Sequence, residues 1–322
     1  MSGTAELRVT EELGGGRADA VVAALCGVSR TEAAAWLAEG KARWAHDRSQ
    51  AGAQGARAAG VPVRKSERLP TGAWILLEVP QRESPRQVRE EPVQDLKLLY
   101  EDTDIVVVDK PVGAAAHPSP GWSGPTVIGG LLAAGVVIAT SGAQERRGIV
   151  HRLDVGTSGV MVVAKTERAY VVLKDAFRDR TPSKTYHALV QGLPDPVEGT
   201  IDAPIGRHPG HDWKFAVLEG GREARTHYRL LEAYGRASLM EVRLETGRTH
   251  QIRVHLSALG HPCAGDLTYG ADPQLASNLG LTRQWLHAVE LGFAHPGSGE
   301  QVSFRSDHSG DLAEALTILE NG

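Results

Sequence analysis

The sequence predicts an α+β protein with a sheet of many strands, and three observations support this. Short apolar or alternating runs typical of strands recur in the second part of the chain: DIVVVDK, GIVHRL, VMVVAKT, KTYHALVQG, THYRLLEAY and SLMEVRLETG. Helical stretches, TERAYVVLKDAFRD and THQIRVHLSAL, lie between them. The 322 residues are 41% hydrophobic and 23% charged, which is ordinary for a folded, soluble protein.

A polar segment divides the chain into two predicted domains. Residues 81–95, QRESPRQVREEPVQD, are charged and contain two prolines, between the strand-like WILLEV and the apolar LLYEDTDIVVVDKP. We therefore expect a small domain over residues 1–80, a linker over 81–95 and a larger domain over 96–322, both of ordinary domain size.

The first domain begins with a predicted helix pair. ADAVVAALCGVSRTEAAAWLAEGK reads as two short helices, the second capped by Ser29 or Thr31 and ended by Gly40. KSERLPTGAWILLEV has the turn and the alternation of a strand pair. Between the helices and these strands, HDRSQAGAQGARAAG reads as an insertion.

This order, two helices and then strands, resembles the S-four-type RNA-binding domain, named after a ribosomal small-subunit protein. Cationic side chains lie around the helices, and the resemblance implies that Arg17, Arg30 and Lys41 contact RNA. A generic helical hairpin is the alternative, and the insertion puts the RNA-contacting surface in doubt.

Composition limits the compartment and the partners. Cys26 and Cys263 belong to no C-x-x-C pair, so we expect neither a disulfide framework nor a zinc knuckle, and a reducing compartment fits. The longest apolar run, near LLAAGVVIA, is too short to cross a bilayer, and the start has no secretory pattern, so we expect a cytoplasmic protein without a membrane. At a net charge of -4, any nucleic-acid binding must come from a local patch.

The segment GIVHRLDVGTSGVMVVAKT places a carboxylate at the predicted end of a strand. In a strand, alternation puts Arg152 and Asp154 on one face, and Asp154 then falls where the strand gives way to the glycine-containing turn VGTSG. Such a position suits a reactive group. The alternative is that Asp154 only caps the turn and Arg152 is an ordinary surface residue.

Two further segments supply candidate partners. ETGRTHQIRVHLSALGHP predicts a helix capped by Thr249, with Arg253 off its apolar stripe and able to offer a guanidinium to a carboxylate; the stripe is Ile252, Leu256 and Leu259. Tyr186, in SKTYHALVQG, is either a core tyrosine or a ring that stacks on a base.

Metal binding is not predicted. His250 and His255 are five residues apart and lack the glutamate of H-E-x-x-H, so they do not form a convincing zinc pair.

Taken in order, GIVHRLDVGTSGVMVVAKT, SKTYHALVQG, GRTHQIRVHLSALGHP and WLHAVELGFAHP resemble the motifs of the ribosomal large-subunit pseudouridine synthases, in the branch whose signature is H-R-L-D-x-x-T-S-G. The resemblance covers residues 96–316. It implies a catalytic domain with a central, mostly antiparallel mixed sheet flanked by helices, often preceded by an S-four-type domain. It implies no cofactor.

The same resemblance assigns roles to four residues. Asp154 would be the catalytic aspartate and Arg253 its salt-bridge partner, Arg152 would help to displace the target base, and Tyr186 would contact the uracil. A neighbouring guanidinium favours the ionised carboxylate. The expected reaction breaks the glycosidic bond at N1 of uridine and rejoins the uracil through C5, with the carboxylate acting as nucleophile or base.

The expected partner is RNA, with ribosomal RNA favoured over transfer RNA, and a monomer is the default. The target base must leave its stack. The basic segments FRDRTPSK and GREARTHYR would supply the local patch, with Arg180 and Lys184 as candidate RNA contacts.

Two other functions remain to be weighed. A non-catalytic RNA-binding protein in ribosome assembly is the main alternative, and it predicts that Asp154→Asn changes nothing whereas charge reversal at Arg30 abolishes binding. A hydrolase of the aspartic or glycosidic type generally needs a second carboxylate motif, and the sequence offers none.

Overall fold

The structure, a computed structural model, describes residues 3–46, 61–79, 88–119, 121–142 and 144–321. The chain divides into two compact units, residues 1–84 and 85–322. The predicted insertion after His46, up to residue 60, and residues 81–87 of the predicted linker lie outside the described residues.

The described residues of the first unit form two helices and a four-stranded antiparallel sheet. Its elements are β1 (Gly3–Arg8), α1 (Ala18–Cys26), α2 (Arg30–Ala38), β2 (Ala42–Ala45), β3 (Val61–Pro62) and β4 (Trp74–Val79). The strand order is β1-β4-β2-β3. The Ser29 hydroxyl accepts a hydrogen bond from the Glu32 N–H and caps α2. Val22, Leu69 and Ile75 are fully buried in its core.

The prediction of a strand pair in KSERLPTGAWILLEV is wrong. Only β4 forms there, and Arg68 makes a single bridge to Arg17. The partners of β4 are β1 and β2, through pairs such as Thr4 with Glu78. A partner so distant in sequence leaves no local signal, because alternation describes one strand and not its neighbour.

The second unit is built on one nine-stranded sheet. Its strands are β5 (Lys97–Glu101), β6 (Ile105–Lys110), β7 (Ser158–Ala164), β8 (Ser183–Gln191), β9 (Glu198–Asp202), β12 (Arg225–Ala233), β13 (Ala237–Leu244), β14 (Leu286–Ala294) and β15 (Gln301–Arg305). A separate hairpin consists of β10 (Ile205–His208) and β11 (His211–Val217). The helices are α3 (Val127–Ala133), α4 (Glu167–Arg178), α5 (Gln251–Ala258), α6 (Pro273–Asn278) and α7 (Gly310–Asn321).

The strand order is β5-β6-β7-β14-β8-β13-β12-β9, and β15 pairs with β14. Among the described strands only β7 and β14 run parallel, so the predicted mostly antiparallel mixed sheet is confirmed. Five of the six predicted strand runs form strands, β6, β7, β8, β12 and β13, and TERAYVVLKDAFRD forms α4, capped by Thr166.

The parallel contact is short and fixes the start of β7. Ser158 and Gly159 pair with His287 and Ala288, and β15 takes over the pairing with β14 from Glu290 onward. Gly159 has φ +115°, and a Cβ there would lie 2.2 Å from the Ala288 carbonyl oxygen. Only glycine fits, so the strand that follows the VGTSG turn is held tightly against β14.

Among the described residues, no single helix is long and apolar enough to cross a bilayer, and α1 and α2 reach that composition only as a pair bent by 115°.

Candidate active site

The segment before Asp154 is not the predicted strand. Ile149 makes one bridge to Val163, and the His151 Nε2 accepts the Val162 N–H at 3.0 Å. An imidazole therefore takes the place that a neighbouring strand would occupy. The alternation of faces fails for the same reason, because every residue from 149 to 154 lines one cleft.

Asp154 is the first residue of a turn that several hydrogen bonds hold in place. Its carbonyl oxygen accepts the Thr157 N–H at 3.0 Å, and the Arg283 Nη1 donates to the Gly156 carbonyl oxygen at 3.0 Å. A Cβ on Gly156 would lie 2.5 Å from the Gln284 amide. No N–H of the described backbone donates to the Asp154 carboxylate, so this side chain is not the cap of the turn.

The Asp154 carboxylate instead faces a guanidinium that it shares. The Arg253 Nη1 lies 3.4 Å from Asp154 Oδ2, whereas Arg253 Nε and Nη2 donate to the two oxygens of Asp266 at 2.6 and 2.9 Å. The Asp266 side chain is 2% exposed and that of Asp154 18%. Burial opposes the charge of Arg253, but both carboxylates raise its pKa further above the ordinary range.

The helix that carries Arg253 begins one residue later than predicted. Thr249 is not its N-cap: His250 holds that position, in the left-handed conformation with φ 55°, and its side chain makes no cap bond. Residues 251–256 are all buried, so the helix has no solvent face over its first turns, and Arg253 lies among buried neighbours rather than at a surface. The periodicity of apolar residues predicts a helix face only when another face is exposed to solvent, so here it could not predict where Arg253 lies.

The left-handed residue places an imidazole beside the carboxylate. The His250 Nε2 lies 3.9 Å from Asp154 Oδ2, and its Nδ1 is 2.8 Å from the Tyr269 hydroxyl. The Tyr269 oxygen also accepts the Phe215 N–H at 3.1 Å, and the Arg253 guanidinium lies 4.9 Å from the centre of the Tyr269 ring. Burial lowers the pKa of His250, whereas the charge of Asp154 opposes that effect.

A buried lysine lies near the same carboxylate. Lys110, at the end of β6, is fully buried and donates to the carbonyl oxygens of Pro111 and Ala114, both at 2.8 Å. Burial lowers the pKa of Lys110 to about 7, although the nearby charge of Asp154 opposes the shift.

Tyr186 lies in β8 and is 8% exposed. It lines the same cleft, and it pairs with Ala288 of β14 and Val242 of β13. Burial raises the pKa of its hydroxyl, and the negative charge of Asp154 adds to the shift. The ring is therefore a neutral phenol at the cleft wall.

The structure brings the four predicted site residues together. Arg152, Asp154, Tyr186 and Arg253 all line one cleft of about 640 Å³. The lining carries two carboxylates, Asp154 and Glu245, against eight cations: Arg146, Arg152, Arg178, Arg180, Lys184, Arg222, Arg248 and Arg253. The lining is therefore mostly cationic on a chain of negative net charge, although Arg178, Arg180 and Arg253 also pair with carboxylates outside it.

The cations of the cleft differ in how they are paired. The Arg152 and Lys184 side chains make no hydrogen bond or ion pair with any group that the structure describes, whereas the Arg180 side chain lies 3.1 Å from Glu223. Burial lowers the pKa of Lys184, and the charge of Arg180 adds to the shift. Arg152 and Lys184 are thus open to an anionic ligand.

The three cations predicted to bind RNA in the first unit have carboxylate partners. Arg17 and Arg30 lie 3.1 and 3.2 Å from the buried Asp19, and Lys41 forms an ion pair with Glu39. Their charge is partly neutralised within the unit.

Sequence reasoning missed several polar residues around Asp154: Lys110, Asp266, Tyr269 and Arg283. A signal existed for two of them. Lys110 ends the apolar run IVVVDK, and Asp266 directly follows the small-residue stretch CAG, which is typical of buried positions. The pairing of Asp266 with Arg253 has no local signal, because it depends on the tertiary fold. The described part of the chain contains no cluster of three or more His, Cys, Asp or Glu side chains placed to hold a metal ion.

Comparison with known proteins gives consistent results. The family described as RNA pseudouridylate synthase matches residues 104–258. An uncharacterized RNA pseudouridine synthase of Mycobacterium bovis is 57% identical over 311 residues, which cover 97% of this chain and 96% of that protein. The ribosomal large subunit pseudouridine synthase D of Nitrosomonas europaea is 45% identical over 231 residues, which cover 70% of this chain and 66% of that protein.

Solved structures agree with the sequence matches. The human protein titled RNA Pseudouridylate Synthase Domain Containing 1 superposes with a TM-score of 0.56 at 28% identity, covering 70% of this chain and 90% of that one.

Proposed function

This chain belongs to the RNA pseudouridylate synthase family, and from that premise we propose that it modifies large-subunit ribosomal RNA with Asp154 as its catalytic carboxylate. As a member of the family it is an isomerase that converts uridine in RNA to pseudouridine. The names of relatives from Nitrosomonas europaea and Zymomonas mobilis, both ribosomal large subunit pseudouridine synthases, support the choice of RNA.

One observation carries the choice of Asp154. Of the two carboxylates in the cleft lining, Glu245 is bound to Arg225 and His227 at 3.0 and 2.7 Å. Among the described residues, the Asp154 carboxylate accepts a hydrogen bond only from the shared Arg253 guanidinium, at 3.4 Å, with the His250 Nε2 farther away at 3.9 Å, and it remains 18% exposed. It is the carboxylate that can meet a ligand.

The other three residues divide the remaining tasks. The unpaired Arg152 can fill the place of an extruded base or bind a neighbouring phosphate, which offsets the few kcal/mol that unstacking costs. The neutral Tyr186 ring offers the uracil an apolar face. Arg253 holds positive charge beside Asp154 whatever the pH, because its pKa is raised.

The assignment of Asp154 is tested by replacing the carboxylate with an amide of the same shape. We expect Asp154→Asn to form no pseudouridine in large-subunit ribosomal RNA while still binding it. The control is Asp202→Asn, because Asp202 also pairs with an arginine, at 2.8 Å, but lies outside the cleft lining. Pseudouridine formation by Asp154→Asn at the parent rate contradicts the proposal.

The choice of RNA is tested separately. Pseudouridines mapped in total RNA from cells with and without this protein should differ at positions in the large-subunit ribosomal RNA. A difference confined to transfer RNA would refute the proposed substrate and leave the catalytic assignment untouched.

We further propose that residues 1–80 bind RNA as an S-four-type domain. The helix pair on an antiparallel sheet supports this, as do the Arg17 and Arg30 side chains, which stay 49% and 61% exposed despite their bond to Asp19. Arg30→Glu should weaken RNA binding. The matched control is Arg305→Glu, at an exposed arginine that lies 3.8 Å from Glu290 in the second unit. Equal dissociation constants for the two variants would oppose the proposal.

A further inference from the structure

Isomerisation of uridine ends with a proton transfer that Asp154 need not perform. When the uracil has rejoined the ribose through C5, that carbon carries both the new C1′–C5 bond and its original hydrogen, and N1 carries no hydrogen. The C5–H bond must break. Its electron pair forms the C5–C6 double bond, the π pair of C6–N1 moves to N1, and N1 takes up a proton. The balance needs one acceptor in the cleft and no other reactant.

Two obvious acceptors are unsuitable. Tyr186 would have to be ionised to act as a base, and both burial and the charge of Asp154 raise its pKa. His151 lines the cleft, but its Nε2 already accepts the Val162 N–H at 3.0 Å and its ring is stacked on Phe177 at 4.5 Å. Neither group offers a free lone pair to the base.

His250 has the geometry that the step requires. Its Nδ1 bonds the Tyr269 hydroxyl at 2.8 Å, which leaves Nε2 as the nitrogen that faces Asp154 Oδ2 at 3.9 Å. A nitrogen that close to the carboxylate lies within reach of the ring that Asp154 acts on. With Nδ1–H donated to the Tyr269 oxygen, Nε2 is an acceptor.

The backbone at His250 also points to function. A φ of 55° is uncommon outside glycine, and here it directs the imidazole toward the carboxylate at the start of α5. Such strain persists only where the surroundings enforce it, and it is concentrated at functional sites. Burial lowers the pKa of His250, so the ring is neutral and able to accept a proton at neutral pH.

We propose that His250 is a second catalytic residue, which takes the C5 proton of the rejoined uracil at Nε2 and returns a proton to N1. The inference rests on the proposed function and deepens it. The Asp154 carboxylate, 3.9 Å away, stabilises the transient imidazolium. Tyr269 acts through His250 and is a positioning residue, because its hydroxyl fixes the ring and is itself fixed by the Phe215 N–H.

His117 is the competing histidine of the cleft. Its Nδ1 is 2.8 Å from the Pro118 carbonyl oxygen, which also leaves Nε2 open. The charges it faces are those of Arg146, Arg152 and Glu145, and its contacts include neither Asp154 nor Tyr269. A new positive charge on His117 would face two arginines and one carboxylate, Glu145. On His250 it would face Arg253 and Arg152 too, but against two carboxylates, Asp154 and Asp266, so His250 is favoured.

The experiment compares ribosomal RNA transcripts that carry hydrogen or deuterium at C5 of uridine, under single turnover. His250→Asn is the variant of choice, because asparagine tolerates the left-handed backbone. We expect its rate of pseudouridine formation to fall by about 10²- to 10⁴-fold and to become slower again with deuterium. Added imidazole should restore part of the rate. Tyr269→Phe should show a smaller loss with the same sensitivity to deuterium.

His117→Asn is the matched control and should show no deuterium effect of its own. A slow His250→Asn variant without a deuterium effect or rescue by imidazole makes His250 a positioning residue and overturns the inference. A deuterium effect in His117→Asn alone overturns it as well. Wild-type protein that forms no pseudouridine in this transcript refutes the proposed function instead, which separates the two failures.

Discussion

Two aspartates, one in each unit, are held by arginine in opposite ways. Asp19 in α1 has two cations to itself, Arg17 and Arg30, and the hydrogen bond from Arg17, together with that from Arg30, lowers its pKa although burial opposes the shift. Asp154 has a single cation, Arg253, whose two shorter bonds go to Asp266.

The difference separates a carboxylate that holds a fold from one that faces a ligand. Both oxygens of Asp19 accept hydrogen bonds from Arg17 and Arg30, so few lone pairs of this carboxylate remain for a substrate. Asp154 keeps an oxygen partly unsatisfied and exposed to a cleft with a mostly cationic lining, because the two shorter hydrogen bonds of the Arg253 guanidinium go to Asp266. The unpaired cations of the cleft, Arg152 and Lys184, remain for the substrate.

The largest effect should come from removing the shared cation. Arg253→Met leaves Asp266, 2% exposed, as an uncompensated buried charge, and should lower the free energy of unfolding of the second unit by about 3–5 kcal/mol. Arg30→Met should hardly change the stability of the first unit, because Arg17 still binds Asp19. Urea titration of both variants measures this, and equal midpoints would remove the distinction between the two sites.

The next effect is catalytic. Asp266→Asn removes the charge that anchors Arg253, and we expect kcat to fall roughly 100-fold, the cost of a misplacement by about 1 Å at a reacting centre. Asp19→Asn should leave kcat at saturating RNA as it is. An unchanged kcat for Asp266→Asn would contradict the view that Asp266 orients Arg253 for catalysis.

A third effect is on the pH dependence of stability. The folded-state pKa of Lys110 lies near 7, below its ordinary value of 10.5, so between these values the unfolded chain binds more protons and stability rises with pH. From pH 7 to pH 9 the rise due to this one group is about 2 kcal/mol. This rise should be absent in Lys110→Met. Urea titrations of the parent and of the variant at pH 7 and pH 9 measure it as the difference between their two changes in the free energy of unfolding. A parallel pH dependence would show that Lys110 titrates normally.

The smallest effect should distinguish a free cation from a paired one. Lys184→Gln should reduce the slope of log binding constant against log salt by about one, because an unpaired lysine meets a phosphate. Arg180→Gln should reduce it less, since Glu223 already neutralises that arginine. Identical slopes for both variants would contradict the difference between open and paired cations.

Sequence patterns predicted the parts of the fold that are local. β6, β7 and α4 follow from uninterrupted apolar runs and from a helix whose cap, Thr166, stands beside it in the chain. The segment before Asp154 was predicted wrongly because the His151 side chain, and not a strand, receives the Val162 N–H.

The site shows the same division. Asp154, Arg152, Tyr186 and Arg253 were selected from motifs, and all four line one cleft, while their roles remain a proposal. For Lys110 and Asp266 the sequence offered a position but no role. Each is a buried charge that its partners make tolerable: the side chain of Arg253 for Asp266, and the backbone oxygens of Pro111 and Ala114 for Lys110.

The Arg283 side chain sets an order of events during synthesis. It holds the Gly156 carbonyl oxygen at the turn after Asp154, and it is itself oriented by Asp311 through bonds of 2.7 and 2.9 Å. A nascent chain lacks these contacts to the turn after Asp154 until translation has passed Asp311, whereas the residues of the first unit are complete much earlier. We therefore expect this turn to reach its final conformation only late in translation.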